Sequence, residues 1–142
     1  MSLFTRLDHV GIAVADLDEA IAFYESVFGM RCTHVETNAD QGVREAMLEV
    51  GEAGPAGGTV QLLAPLGPDS PIARFLDRSG PGVQQMAYAV TDVEAASAEL
   101  RRRGLRVLYE TARRGTAGSL VNFIHPKDAG GVLVELVQPA QS

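Results

Sequence analysis

The sequence predicts an α+β fold built from two tandem βαβββ modules. Three observations carry this reading. The chain is written twice: His9-Val-Gly-Ile-Ala-Val-Ala-Asp-Leu-Asp-Glu-Ala aligns with Gln85-Met-Ala-Tyr-Ala-Val-Thr-Asp-Val-Glu-Ala-Ala, and Gln61-Leu-Leu-Ala-Pro with Glu135-Leu-Val-Gln-Pro. Each copy passes from an alternating strand straight into a capped helical pattern. Three β-prone segments then follow each helix. At 142 residues the chain suits one domain spanning 1–142, with a first module over 7–65, a connecting helix within 66–82 and a second module over 83–139.

The elements follow in order. After the first strand, Asp16 is a good N-cap, and Glu19 three residues on completes a capping box. Ala20, Ile21, Tyr24, Val27 and Phe28 make a helical apolar stripe that Gly29 terminates. Strands are expected over 32–37, 43–50 and 59–64, with a glycine-rich turn at 51–58. Ser70 followed by Pro71 starts a short helix, which Gly80-Pro-Gly stops. In the second copy Asp92 caps, Val93, Ala96 and Leu100 face inward, and Gly104 ends the helix. Strands are expected over 106–111, 120–125 and 132–137.

Composition narrows the function classes. The chain is 46% hydrophobic with a formal charge of -6, which disfavours general nucleic-acid binding. No apolar run reaches the roughly 20 residues that span a bilayer. The opening six residues lack a signal peptide's apolar stretch. The single cysteine, Cys32, excludes an internal disulfide and suits a reducing cytoplasm. Because the overall charge is negative, an anionic ligand needs a local group of cations.

Strand alternation places the polar residues. Val10, Ile12 and Val14 share one face of the first strand, and His9, Gly11 and Ala13 share the other. Gln85, Ala87 and Ala89 repeat the second pattern. One polar residue followed only by glycine or alanine leaves an open surface on which a ligand could lie. Gln61 and Glu135 interrupt apolar runs in the last strand of each copy, and a carboxylate there is costly to bury unless paired or metal-bound. Glu135 as a water-facing edge residue and His9 as a hydrogen-bonded strand histidine are the plainer alternatives. The repeat nevertheless sets His9, Gln61, Gln85 and Glu135 at matching positions.

At these residues the chain resembles the vicinal oxygen chelate superfamily. Within it the resemblance is closest to the methylmalonyl-CoA epimerases. It rests on Gln41-Gly-Val-Arg-Glu-Ala-Met-Leu, Gln61-Leu-Leu-Ala-Pro, Asp69-Ser-Pro-Ile-Ala-Arg-Phe-Leu, Asn122-Phe-Ile-His-Pro-Lys-Asp and Gly130-Gly-Val-Leu-Val-Glu-Leu, in that order along nearly the whole chain. The resemblance implies a curved mixed sheet around one divalent metal held by His9, Gln61, Gln85 and Glu135. The family's usual histidine pair is Gln84-Gln85 here, and alternation turns Gln85 toward the site. One nitrogen and three oxygen ligands favour Co²⁺ or Mn²⁺, with Mg²⁺, Ni²⁺ or Zn²⁺ as further choices.

The same resemblance implies that Glu45 and Glu135 are catalytic bases on opposite sides of the substrate carbon. They would interconvert (2R)- and (2S)-methylmalonyl-CoA by two-base proton transfer, with the metal as Lewis acid. Read alone, Glu45 could equally be the wet side of a strand together with Glu49. Arg113, Arg114 and Lys127 are the candidates for the coenzyme A phosphates. Arg101-Arg-Arg reads as a solvated helix end, and His34 and His125 as structural or surface residues. A homodimer is expected. Two other functions stay open: a glyoxalase-like lyase or isomerase on another thioester or thiol conjugate, and a metal-free small-molecule-binding protein of the resistance type. Gln85 favours the latter. A ring-cleaving dioxygenase fits poorly, because that chemistry uses two histidines and a carboxylate.

Overall fold

A computed structural model of the chain describes residues 2–141. In chain order it contains β1 (Arg6–Ala13), α1 (Leu17–Phe28), β2 (Arg31–Asn38), β3 (Val43–Glu49), β4 (Thr59–Pro65), α2 (Pro71–Ser79), β5 (Gly82–Ala89), α3 (Val93–Arg102), β6 (Arg113–Arg114), β7 (Leu120–Ile124) and β8 (Leu133–Gln138). Two compact units result. One is His9–Gln84; the other joins the segment up to Asp8 to the segment from Gln85 onward. Among the described residues no helix is long and apolar enough to cross a membrane.

In the His9–Gln84 unit the strands lie in the order β2-β3-β4-β1, with β4 parallel to β1 and the other pairs antiparallel. The Asp16 side chain accepts from the Glu19 N–H at 3.0 Å, and Gly29 closes α1 at φ 71°, a left-handed conformation that glycine adopts without strain. The bulky face of the sheet packs on this helix. Leu17, Ala46, Leu48, Leu62 and Ala64 are buried there with Ile12, Ile21 and Tyr24 against them. The opposite face is less open than its small residues suggest. Ser70 Oγ caps α2 by accepting from the Ile72 N–H at 3.1 Å. The helix then lays Ile72, Phe75 and Leu76 over Ala13, Val43 and Leu63 and closes one end of that face.

In the other unit the order is β5-β8-β7-β6, with β5 parallel to β8. Asp92 caps α3 through the N–H groups of Glu94 and Ala95, at 3.1 and 3.0 Å. Val90, Val93, Ala96, Leu100, Ile124 and Leu136 form the core beneath it. The N-terminal segment belongs to this core: Phe4 stacks on Tyr88 with ring centroids 4.8 Å apart, and the Thr5 N–H donates to the Ala89 carbonyl at 2.9 Å.

The strand expected over 106–111 does not form. Val107 makes one isolated bridge to Ile124, and regular pairing resumes only at Arg113–Arg114. The reason is Asn122, which is fully buried. Its Oδ1 accepts from the Tyr109 N–H at 2.9 Å and its Nδ2 donates to the Tyr109 carbonyl at 2.9 Å. One side chain thus satisfies both backbone groups that a ladder would otherwise pair.

Candidate active site

Registers define one face in each unit. In the first, Gly11 sits beside Gln61, Met47 opposite Gln61, and Glu45 opposite Leu63. With side chains alternating, His9, Gln61 and Glu45 share that face. They are 4%, 3% and 3% exposed, so Glu45 is a buried carboxylate and not the wet side of a strand. Gln61 reaches diagonally across the β3–β4 pair, and its Nε2 donates to Glu45 Oε2 at 3.1 Å.

The second unit repeats the device with different strands. Ala87 sits beside Glu135 and Gln85 beside Leu133, so Gln85 is again the diagonal neighbour of a carboxylate. Gln85 Nε2 donates to Glu135 Oε1 at 2.7 Å, and both residues are 6% exposed. Each carboxylate therefore sits out of water with a hydrogen bond to an amide, which offsets part of the desolvation cost of carrying charge there.

The donor chemistry fits a divalent cation. The first unit offers a buried imidazole and an amide oxygen, from His9 and Gln61, and the second an amide oxygen and a carboxylate, from Gln85 and Glu135, all donor types of intermediate hardness. Among the described residues no group of three or more His, Cys, Asp or Glu could hold a metal ion. A site built from these residues therefore requires its glutamines. In each amide it is the oxygen, not the nitrogen, that has the lone pairs a cation would need.

The coenzyme A candidates separate. Arg113 pairs with Val121 and shares the face of Val121, Phe123 and Glu135, whereas Arg114 pairs with Leu120 on the opposite face. The Arg113 guanidinium lies 4.0 Å over the Tyr109 ring, which itself meets Phe123 edge-on at 5.8 Å. Lys127 stands on the short turn Pro126–Asp128, where its N–H donates to His125 Nδ1 at 3.1 Å. Arg106 grips that turn. Its Nε and Nη2 each bond the Asp128 carboxylate at 3.0 Å, and its backbone N–H adds a third bond at 2.8 Å. The guanidinium bonds, followed by the backbone bond, hold Asp128 down at about 2. Arg101 is spent on the carbonyls of Val107 and Tyr109, and Arg102 and Arg103 on Glu99, as suits a helix end.

Sequence reasoning overlooked Phe123 and Tyr109. Phe123 is the direct cross-strand neighbour of Glu135 and its ring walls the same face. Alternation in β7 was the available signal, since Val121 and Phe123 flank the buried Asn122.

Comparison with known proteins decides the family. The sequence model of the Glyoxalase/Bleomycin resistance protein/Dioxygenase superfamily matches residues 8–123. Human mitochondrial methylmalonyl-CoA epimerase is 40% identical over 134 residues, covering 94% of this chain and 73% of the human protein. The chain belongs to the methylmalonyl-CoA epimerase family. Its fold agrees with that of the family: the crystal structure of methylmalonyl-CoA epimerase from Mycobacterium tuberculosis superposes with a TM-score of 0.93 at 58% identity, over 99% of this chain and 91% of that one. A methylmalonyl-CoA epimerase solved in complex with methylmalonyl-CoA and NH4+ gives 0.91 at 46% identity, over 96% of each chain.

Proposed function

We infer that this chain interconverts the (2R) and (2S) epimers of methylmalonyl-CoA by removing the C2 proton on one face and returning one on the other. The observation that carries this is the pair of buried, amide-bonded carboxylates, Glu45 and Glu135, in a chain 58% identical to an epimerase of known structure. In one direction Glu45 takes the proton and Glu135 supplies one; in the other the roles exchange. Gln61 and Gln85 orient the two carboxylates, and burial keeps water from competing for the carbanionic carbon. His9, Gln61, Gln85 and Glu135 are the proposed ligands of a divalent metal, Co²⁺ or Mn²⁺ before Mg²⁺, Ni²⁺ or Zn²⁺. That ion supplies Lewis-acid polarisation of the substrate's thioester and carboxylate oxygens.

Arg113, on the face of Glu135 and braced by Tyr109, is the proposed phosphate contact, with Arg114 and Lys127 adding charge at the rim. A reducing cytoplasm suits the single cysteine, and a homodimer is the proposed assembly. The test is solvent exchange. Metal-loaded protein in D₂O washes deuterium into C2 of methylmalonyl-CoA while interconverting the epimers. Absence of exchange with every metal tried would refute the reading.

A further inference from the structure

We propose that Tyr109 is a positioning residue for coenzyme A binding: its ring holds the Arg113 guanidinium on the face of Glu135 and leaves the charge of that cation for a phosphate. The inference rests on the reading of Arg113 as the phosphate contact and deepens it. Four arginines of this unit are engaged by oxygen: Arg101 by the carbonyls of Val107 and Tyr109, Arg102 and Arg103 by Glu99, and Arg106 by Asp128. Arg113 differs. Among the described residues no carboxylate pairs with it, and its guanidinium lies 4.0 Å over the Tyr109 ring. An aromatic face attracts a cation without cancelling its charge, so the N–H fork of Arg113 keeps its demand for an anion. A carboxylate in the same place would hold the side chain too, but would satisfy that demand.

The irregular path over 106–111 is what places the ring. Buried Asn122 takes the Tyr109 N–H and bonds the Tyr109 carbonyl, both at 2.9 Å, and Arg101 Nη2 adds a second donor to that carbonyl at 2.6 Å. One residue earlier the Leu108 N–H donates to the Phe123 carbonyl at 2.8 Å. The Phe123 ring then meets the Tyr109 ring edge-on, at 5.8 Å and 89°, and braces its tilt. Arg113, by contrast, stands exposed on a strand of two residues. A long side chain in that position samples many rotamers. Stacking on a ring whose backbone is fixed orders the guanidinium before the ligand arrives, which lowers the entropic cost of binding.

The experiment compares metal-loaded wild type, Tyr109→Leu, Tyr109→Phe and Arg113→Ala on two substrates. One is methylmalonyl-CoA; the other is methylmalonyl-pantetheine, a thioester without the nucleotide phosphates. The bonds from Asn122 and Arg101 reach main-chain groups of Tyr109, so replacing the ring leaves them in place. KM for the CoA ester rises on the order of tenfold in Arg113→Ala and about two- to fivefold in Tyr109→Leu. Tyr109→Phe keeps the aromatic face and stays near the wild type. KM for the pantetheine ester does not move, and kcat holds on both substrates. Adding Tyr109→Leu to Arg113→Ala brings no further rise, because the ring acts through the guanidinium. An unchanged KM for the CoA ester in Tyr109→Leu, beside a raised one in Arg113→Ala, overturns the positioning role and leaves the phosphate contact standing. Equal losses on both esters overturn it as well, since they mark a packing defect. If Arg113→Ala itself leaves KM for the CoA ester unchanged, the phosphate reading has failed and this inference falls with it. A wild type that exchanges no C2 proton refutes the epimerase reading on which both rest.

Discussion

The two units share a plan and divide its labour differently. In His9–Gln84 the carboxylate and its glutamine lie on antiparallel neighbours, with Glu45 on β3 and Gln61 on β4; the proposed base and the proposed ligand are separate residues. In the other unit they lie on parallel neighbours, with Gln85 on β5 and Glu135 on β8, and both proposed roles fall on Glu135. The position matching Glu45 is Val121, which is 2% exposed and part of an apolar cluster with Ala87 and Val137. A duplicated scaffold thus supplies equivalent slots on one face of each sheet. What a slot does depends on whether its occupant is a carboxylate, an amide or a methyl-bearing side chain.

The largest effect that would break this comparison comes from the bases. Glu45→Gln lowers epimerisation by about 10²–10⁴-fold while metal content, measured by plasma spectrometry, stays near one equivalent. Glu135→Gln loses turnover to a similar degree and metal with it. Equal metal retention in both variants would show that base and ligand are separate in the second unit as well. A smaller effect is expected at the odd ligand. Gln85→His replaces an amide oxygen by imidazole, and affinity for Zn²⁺ or Co²⁺ in a chelator competition rises on the order of ten- to hundredfold. Unchanged affinity would leave Gln85 as only a partner of Glu135.

Stability sharpens the contrast further. In the first unit α2 packs over one end of the face that carries Glu45 and Gln61, so Ile72→Ala opens a cavity there and costs about 2–5 kcal/mol in urea unfolding. The smallest effect is on the second unit's turn. Asp128 has a lowered folded value, so its ion pair with Arg106 contributes fully above the ordinary carboxylate range, and the contribution fades as pH falls toward about 2. Arg106→Ala therefore lowers stability slightly across the neutral region, leaves it unchanged near pH 2 and so flattens the acid limb of the profile, as read by circular dichroism against pH.

Much of this was legible from the residues. The duplication, the caps at Asp16, Ser70 and Asp92, and the alternation that sets His9, Gln61, Gln85 and Glu135 on small-residue faces follow from local rules and fit the fold of the family. The amide–carboxylate pairs were not legible, because a glutamine's reach depends on register: one slipped residue would turn Gln61 away from Glu45. Arg113 and Arg114 read as a pair for the same reason, until their pairing with Val121 and Leu120 put them on opposite faces. The lost strand over 106–111 came from Asn122, whose side chain competes with backbone pairing in a way no propensity records. The cover that α2 gives to Ala13 and Leu63 is a tertiary contact with no local signature.

The N-terminal segment has a consequence for how the protein is made. Phe4 and Thr5 find their partners, Tyr88 and Ala89, only after more than half the chain has left the ribosome. These two residues are therefore held in waiting until the far strand of their unit exists. Their docking closes a long loop late in folding, at an entropic cost that grows slowly with loop length.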